Sequence, residues 1–217
     1  LCNLVIGSGA FVLSGILQPL AKELNISIAA AGQVMTAYAV ATAVLAPGLI
    51  LLTAKWPRKQ AIQLALALFT LGNLVSALAP TLGVLLLGRI LMGAGAMFTA
   101  AVSAYAVTLV APELRGRALS TVFLGMSISY AVALPIGAWL GFEYGWHTPV
   151  WLCAAASLAA LLAATMLLPK GVVMQSASFA GFKTAAKQSA VLRVWLRTLL
   201  FFIAIFSVFA YVGPVLL

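Results

Sequence analysis

Long apolar runs, each of a length that fits a bilayer, alternate along this chain with short polar connections. A spanning helix needs about 17–25 apolar residues. Seven segments meet that requirement: 1–20, 29–52, 60–79, 82–110, 118–141, 147–168 and 195–217. The pattern predicts an all-α, polytopic membrane protein. It divides into a six-span transmembrane bundle over 1–168, a cytoplasmic linker over 169–194, and the start of a seventh span over 195–217. Both ends of the chain fall inside apolar runs, so each reads as a span cut short. The first run lacks the basic leader and cleavage site of a signal peptide.

Charge adds orientation. Twelve residues are basic and three are acidic, and they fall unevenly among the connections. The first connection carries Lys22 and Glu23, which cancel, and the third, around Pro80, carries no charge. The fifth has Glu143 and His147. The second has Lys55, Arg58 and Lys59; the fourth has Glu113, Arg115 and Arg117; the sixth has Lys170, Lys183, Lys187 and Arg193. Basic loops stay in the cytoplasm. Connections two, four and six are therefore expected inside, with the amino terminus cytoplasmic. Trp139, Trp146 and Trp151 then fall near the outer boundary, and Trp56 and Trp195 near the inner one, at the depths of aromatic belts.

Composition excludes other classes. The chain is 65% hydrophobic and 7% charged, with a mean hydropathy of +1.18. A soluble domain could not cover its surface with so little charge. The net charge of +9 flanks apolar segments and marks topology, with no nucleic-acid partner. Cys2 and Cys153 are isolated and form neither a disulfide framework nor a metal site. No metal cluster, acid pair or nucleophile–base set argues for an enzyme or a cofactor. The lipid bilayer is the one partner that composition demands.

Arg89 is the most informative residue. It lies about seven residues into the fourth span, roughly 10 Å deep at about 1.5 Å per residue. An ionisable group at that depth marks function, and the expected surroundings are a water-filled cavity, since no acid lies on a nearby span. The competing reading is an arginine that snorkels to the outer surface. Phe11, Ser14 and Gln18 follow an i, i+3, i+7 pattern and share one face of span one. Tyr38, Asn73, Ser103, Tyr105, Ser129 and Tyr130 are polar positions in other spans, where buried Ser and Asn more often bond across helices than bind substrate.

Arg89 begins the run Arg89-Ile90-Leu91-Met92-Gly93-Ala94-Gly95-Ala96. Here the chain resembles the major facilitator superfamily, whose fourth span carries an R-x-x-x-G-x-G-A type motif. The resemblance implies a role for Arg89 in proton transfer and the central cavity, with Gly93 and Gly95 at a helix contact. The stretch Leu51-Leu52-Thr53-Ala54-Lys55-Trp56-Pro57-Arg58-Lys59 is similar to the family's loop between spans two and three. Lys55, Arg58 and Lys59 take its basic positions. Ala54 replaces its latching aspartate and Pro57 its glycine. A plain cytoplasmic cluster accounts for the same loop. In span five, Pro135-Ile136-Gly137-Ala138-Trp139-Leu140-Gly141 resembles the proline-then-glycine motif of drug:proton and sugar-efflux (arabinose-like) antiporters. Pro135 can bend the helix, and Gly137 and Gly141 offer a small-residue face.

Fainter echoes extend along the chain, in Pro112–Ala118, Gly145–His147 and Phe209–Pro214. Ala10 stands where related efflux proteins carry an acid in span one, and every glutamate maps to a connection. The resemblance implies the six-helix amino-terminal bundle of a bacterial inner-membrane efflux transporter. It would work by alternating access as a proton-coupled antiporter of drugs or sugars, with the carboxyl-terminal half missing here. Its small-molecule cavity would take Arg89, Ser14, Gln18 and Ser103, since spans one and four line the family's cavity, together with Tyr130 of span five. A remnant that inserts without transporting is the alternative.

Overall fold

The computed structural model describes residues 2–168, 181, 183–184 and 187–216, with side chains as far as Ala204. Among the described residues, six helices are long and apolar enough to cross a membrane. They are α1 (Cys2–Glu23), α2 (Ile28–Leu52), α3 (Arg58–Ala77), α4 (Leu82–Thr108), α5 (Pro112–Tyr144) and α6 (His147–Leu167). A further helix, α7, spans Ser189–Leu216 and starts ahead of the position 195 that hydropathy suggests. Among the described residues the secondary structure is entirely helical and turn. Contacts divide the chain into two units, Leu1–Gln175 and Ser176–Leu217. In the second unit, α7 exposes Leu196, Leu199, Phe201 and Ile203. The expected linker lies largely outside the described residues.

Three helices are interrupted, each for a local reason. Val12–Ile16 in α1 is a 3-10 turn, within which the Ser14 hydroxyl donates to the Phe11 carbonyl at 2.6 Å. In α4 the run Gly-Ala-Gly-Ala breaks the helix at Ala96. In α5 a single π turn covers Ser129–Ala133, just before Pro135. A proline has no N–H to give the carbonyl four residues back, and the π turn absorbs that missing bond.

The helices of the first unit pack with small residues inside and large ones outside. α3 lies against α4 and α6, α4 against α2, and α1 against α5 and α6. Alanines and glycines fill the crossings, while Leu52, Met166 and Leu167 point outward at 76%, 79% and 79% exposure. Lipid is as apolar as leucine, so close backbone approach, rather than expulsion of greasy side chains, holds such helices together. Two buried clusters divide the bundle by depth. One gathers Ile6, Ile62, Phe69, Phe98 and Tyr105. The other gathers Leu13, Ile16, Val34, Leu85 and Trp146.

Polar knots tie these layers. Asn3 is buried; its amide donates to the Val122 carbonyl at 2.8 Å and its oxygen accepts from Thr99 at 3.0 Å. That one residue links α1, α4 and α5. Trp146 departs from its expected belt position: it is 0% exposed and belongs to the second cluster. The connection from α5 to α6 is only Gly145 and Trp146, and Gly145 takes φ +87. That conformation favours glycine, and so tight a turn leaves the indole inside the bundle. At the same end His147 lies 3.3 Å from Glu23, joining the first and fifth connections.

Candidate functional site

Arg89 projects from α4 into the centre of the bundle and is 1% exposed. Its Nε donates to the Val34 carbonyl at 3.2 Å and its Nη1 to the Gly9 carbonyl at 2.8 Å. Its Nη2 donates to the Ala10 carbonyl. Two thioethers complete the shell, Met92 at 3.6 Å and Met35 at 3.7 Å. The Tyr38 ring lies 5.0 Å from the guanidinium carbon. The surroundings are therefore protein dipoles and sulfur, not the water-filled cavity that the sequence suggests. Nor does the side chain turn to the surface. Gly9 and Ala10 sit near the middle of α1, so the guanidinium reaches inward across three helices.

Local structure makes this possible. The 3-10 turn starts directly after Phe11, where the backbone ladder of α1 changes its spacing. Each backbone carbonyl has two lone pairs, and those of Gly9 and Ala10 have capacity for a second donor. Arginine's planar fork offers five donors, which suits several acceptors on different helices. Gly93 lets α2 come close enough to supply the rest: a Cβ there would sit 2.6 Å from the Ala41 methyl and 2.8 Å from the Tyr38 carbonyl. Gly95 does the same toward α3, where a Cβ would meet the Ala65 carbonyl at 2.7 Å.

Around the buried cation lies a half-buried aromatic set. Phe11 meets Tyr38 edge-on at 6.5 Å and Tyr130 edge-on at 5.4 Å. These rings come from α1, α2 and α5, and Tyr130 is placed by the π turn. Such turns cluster at functional sites. The structure thus joins Arg89 to Tyr38, and through Phe11 to Tyr130.

The other sequence candidates are distributed differently. Ser14 is half-buried and spends its hydroxyl on Phe11. Gln18 is exposed. Five residues at three per turn rather than 3.6 rotate it by roughly 100° from the Phe11 face. Ser103 lies further along α4, roughly 20 Å from Arg89 at about 1.5 Å per residue. Its hydroxyl is buried without a hydrogen-bond partner. Gly137 and Gly141 face α1, against Val12 and Ile16, while Pro135 is exposed.

In the loop before α3 Lys55 is exposed; in the first turn of α3 Arg58 is buried and Lys59 Nζ donates to the Leu168 carbonyl at 2.7 Å. Lys59 therefore closes the end of α6. A separate apolar cavity of about 280 Å³ lies between α1, α5 and α6, bordered by Val12, Val132, Ile136, Leu152 and Cys153. Gly137 is the one sequence candidate among its walls. Among the described residues no group of His, Cys, Asp and Glu is arranged to hold a metal ion.

Sequence reasoning missed Met35, Met92 and the carbonyls of Gly9, Ala10 and Val34. Arg89 with Met92, and Met35 with Tyr38, are i, i+3 pairs on single helix faces. That spacing was available, but carbonyl acceptors leave no mark in a sequence.

A bundle of six spanning helices with a charge enclosed at its centre defines a multi-pass membrane protein of transporter type. The Major Facilitator Superfamily model matches residues 1–217, and the chain belongs to that family. It is 32% identical over 213 residues to the inner membrane transport protein YdhP of Escherichia coli K12, covering 97% of this chain and 54% of that protein. It is 34% identical over 160 residues to the chloramphenicol efflux pump Rv0191 of Mycobacterium tuberculosis H37Rv, covering 73% of this chain and 39% of that protein. Among solved structures, the peptide transporter POT in complex with sulfate superposes with a TM-score of 0.68 at 18% identity, over 92% of this chain and 44% of that one. Relatives and fold are those of transporters, not enzymes. The chain spans about half the length of the curated relatives it matches.

Proposed function

We propose that this chain is the amino-terminal half of an efflux transporter that moves drugs or sugars out of the cell by alternating access, in antiport with protons. Alternating access rocks two bundles about a site near the midplane. The observation that carries the reading is Arg89: a fixed charge enclosed roughly 10 Å into its span, beside half-buried rings from three helices, in a bundle whose relatives include an efflux pump. A charge held behind such rings gives an otherwise apolar wall the electrostatic focus that a transport site needs.

Connections two, four and six face the cytoplasm in this reading. The second half supplies the opposite wall. It also supplies the proton-carrying carboxylate, because Glu23, Glu113 and Glu143 all lie at the ends of helices or between them.

The test compares the chain alone with the chain joined to a carboxyl-terminal half, in bacteria stripped of other pumps. Chloramphenicol accumulation is measured with and without a proton gradient. The joined protein should lower accumulation only when the gradient is present, and the chain alone should not. Gradient-driven efflux by the chain alone would overturn the half-transporter reading, unless crosslinking shows a symmetric dimer.

A further inference from the structure

We infer that the aromatic face over Arg89 takes a planar aromatic compound without positive charge and discriminates against cations. This rests on the transporter reading and names the substrate class of the same site. The argument starts from a count of charges. Two charged side chains are buried among the described residues of this half: Arg58, at the first residue of α3, and Arg89, the one enclosed within a span. Its described partners are carbonyls, thioethers and a phenol ring, with no carboxylate among them. Dipoles satisfy its hydrogen bonds but leave its net charge in place. In a low-dielectric interior that charge acts over several ångströms.

The partly exposed residue Tyr38 stands next to it. Tyr38 stacks against Arg89 at 5.0 Å with one face, so its negative quadrupole there is already engaged by a cation. A second cation on the remaining face would meet a ring and a like charge together. A neutral or anionic ring meets no such opposition. It can stack or sit edge-on within the Phe11, Tyr38 and Tyr130 set, whose centroids are 5.4 to 6.5 Å apart. Offset and edge-on aromatic pairs favour separations of about 4.5–7 Å. All three residues are only partly buried, which leaves surface for a ligand to cover.

Met35 offers a way to test the charge directly. Its sulfur lies 3.7 Å from Arg89 Nη2, and the residue is half-buried. Glutamate and glutamine have nearly the length of methionine. Met35→Glu therefore places a carboxylate against the guanidinium, and Met35→Gln matches its shape without charge.

The experiment uses the chain joined to its carboxyl-terminal half, purified in detergent. Two probes matched in shape are compared, 4-neopentylnitrobenzene and 4-nitrobenzyltrimethylammonium. Each is titrated for thermal stabilisation of the protein. The neutral probe should act at concentrations at least tenfold below the cation. Met35→Glu should shrink or reverse that ratio, and Met35→Gln should leave it unchanged. Equal or better action by the cation on the unaltered protein overturns the inference, as does a Met35→Glu ratio equal to that of Met35→Gln. If Met35→Glu does not fold, the ratio on the unaltered protein decides alone. Stabilisation by neither probe also overturns the inference, while the efflux reading stands or falls on its own accumulation assay.

Discussion

Replacing Arg89 by alanine removes the one side chain, among the described residues, that bonds α4 to both α1 and α2. Three buried carbonyls then lose a donor. An unsatisfied buried acceptor costs about 1–3 kcal/mol, and the lower value applies where a helical carbonyl keeps its ladder bond. Three such losses amount to about 3 kcal/mol, and the contact with Tyr38 adds about 1 kcal/mol. The cavity left by so large a buried side chain adds about 2–3 kcal/mol, while relief of the charge's burial returns several, about 4 kcal/mol. The net destabilisation is about 2–3 kcal/mol, which for a chain of this size lowers the melting temperature by about 4–12 °C.

Cys153 reports the transition, because it is buried in the same cluster as Val34 and Trp146. With Cys2 replaced, a fluorogenic thiol dye should label it only on unfolding. Arg89→Lys should fall at least as far as Arg89→Ala, since a single ammonium keeps the charge but cannot span carbonyls on two other helices. Membrane insertion should be normal in both, because the spans remain apolar. In the joined protein, transport per inserted molecule should be lost with Arg89→Ala. A melting temperature within 2 °C of the unaltered chain for Arg89→Ala, in roughly the scale used above, would refute the bridging argument. So would full rescue by Arg89→Lys.

Other outcomes follow from the same contacts. Gly93→Leu should cut the folded yield by imposing about 1–3 kcal/mol of overpacking against the α2 backbone, whereas Gly32→Leu, with nothing within 4 Å of its added Cβ, should not; detergent-stable protein recovered by size exclusion measures both. Lys59→Ala should cost about 1 kcal/mol and speed hydrogen exchange in the last turn of α6, while Lys55→Ala should leave exchange there unchanged. For topology, a cysteine introduced beside Lys59 or Lys183 should resist an impermeant thiol reagent in intact cells, and one beside Glu143 should react, once Cys2 and Cys153 are replaced. Labelling near Lys183 without permeabilisation would reverse the proposed orientation.

The number of spans and the helical class were legible from the chain alone, because lipid imposes them residue by residue. A helix must satisfy its own backbone in a bilayer, and about 20 apolar residues are needed to cross it. Each of the six runs from 1–20 to 147–168 has its helix in the structure. The family was legible too, because its motifs are local strings. Arg89 stood out for a similar reason: one charge in an apolar run is visible without any fold.

What surrounds Arg89 was decided only in three dimensions. Its acceptors are backbone carbonyls, which every residue possesses, so no side-chain pattern points to Gly9, Ala10 or Val34. The expectation of water around it arose from counting acids and finding none nearby. Trp146 shows the same limit. Its place near a boundary suggested an interfacial belt, but the turn at Gly145 puts it inside the bundle. Gln18 depended on helical phase, and a 3-10 turn shifted that phase by roughly 100°. Local composition determines whether a segment can live in the membrane; the crossing of helices determines which atoms of that segment meet.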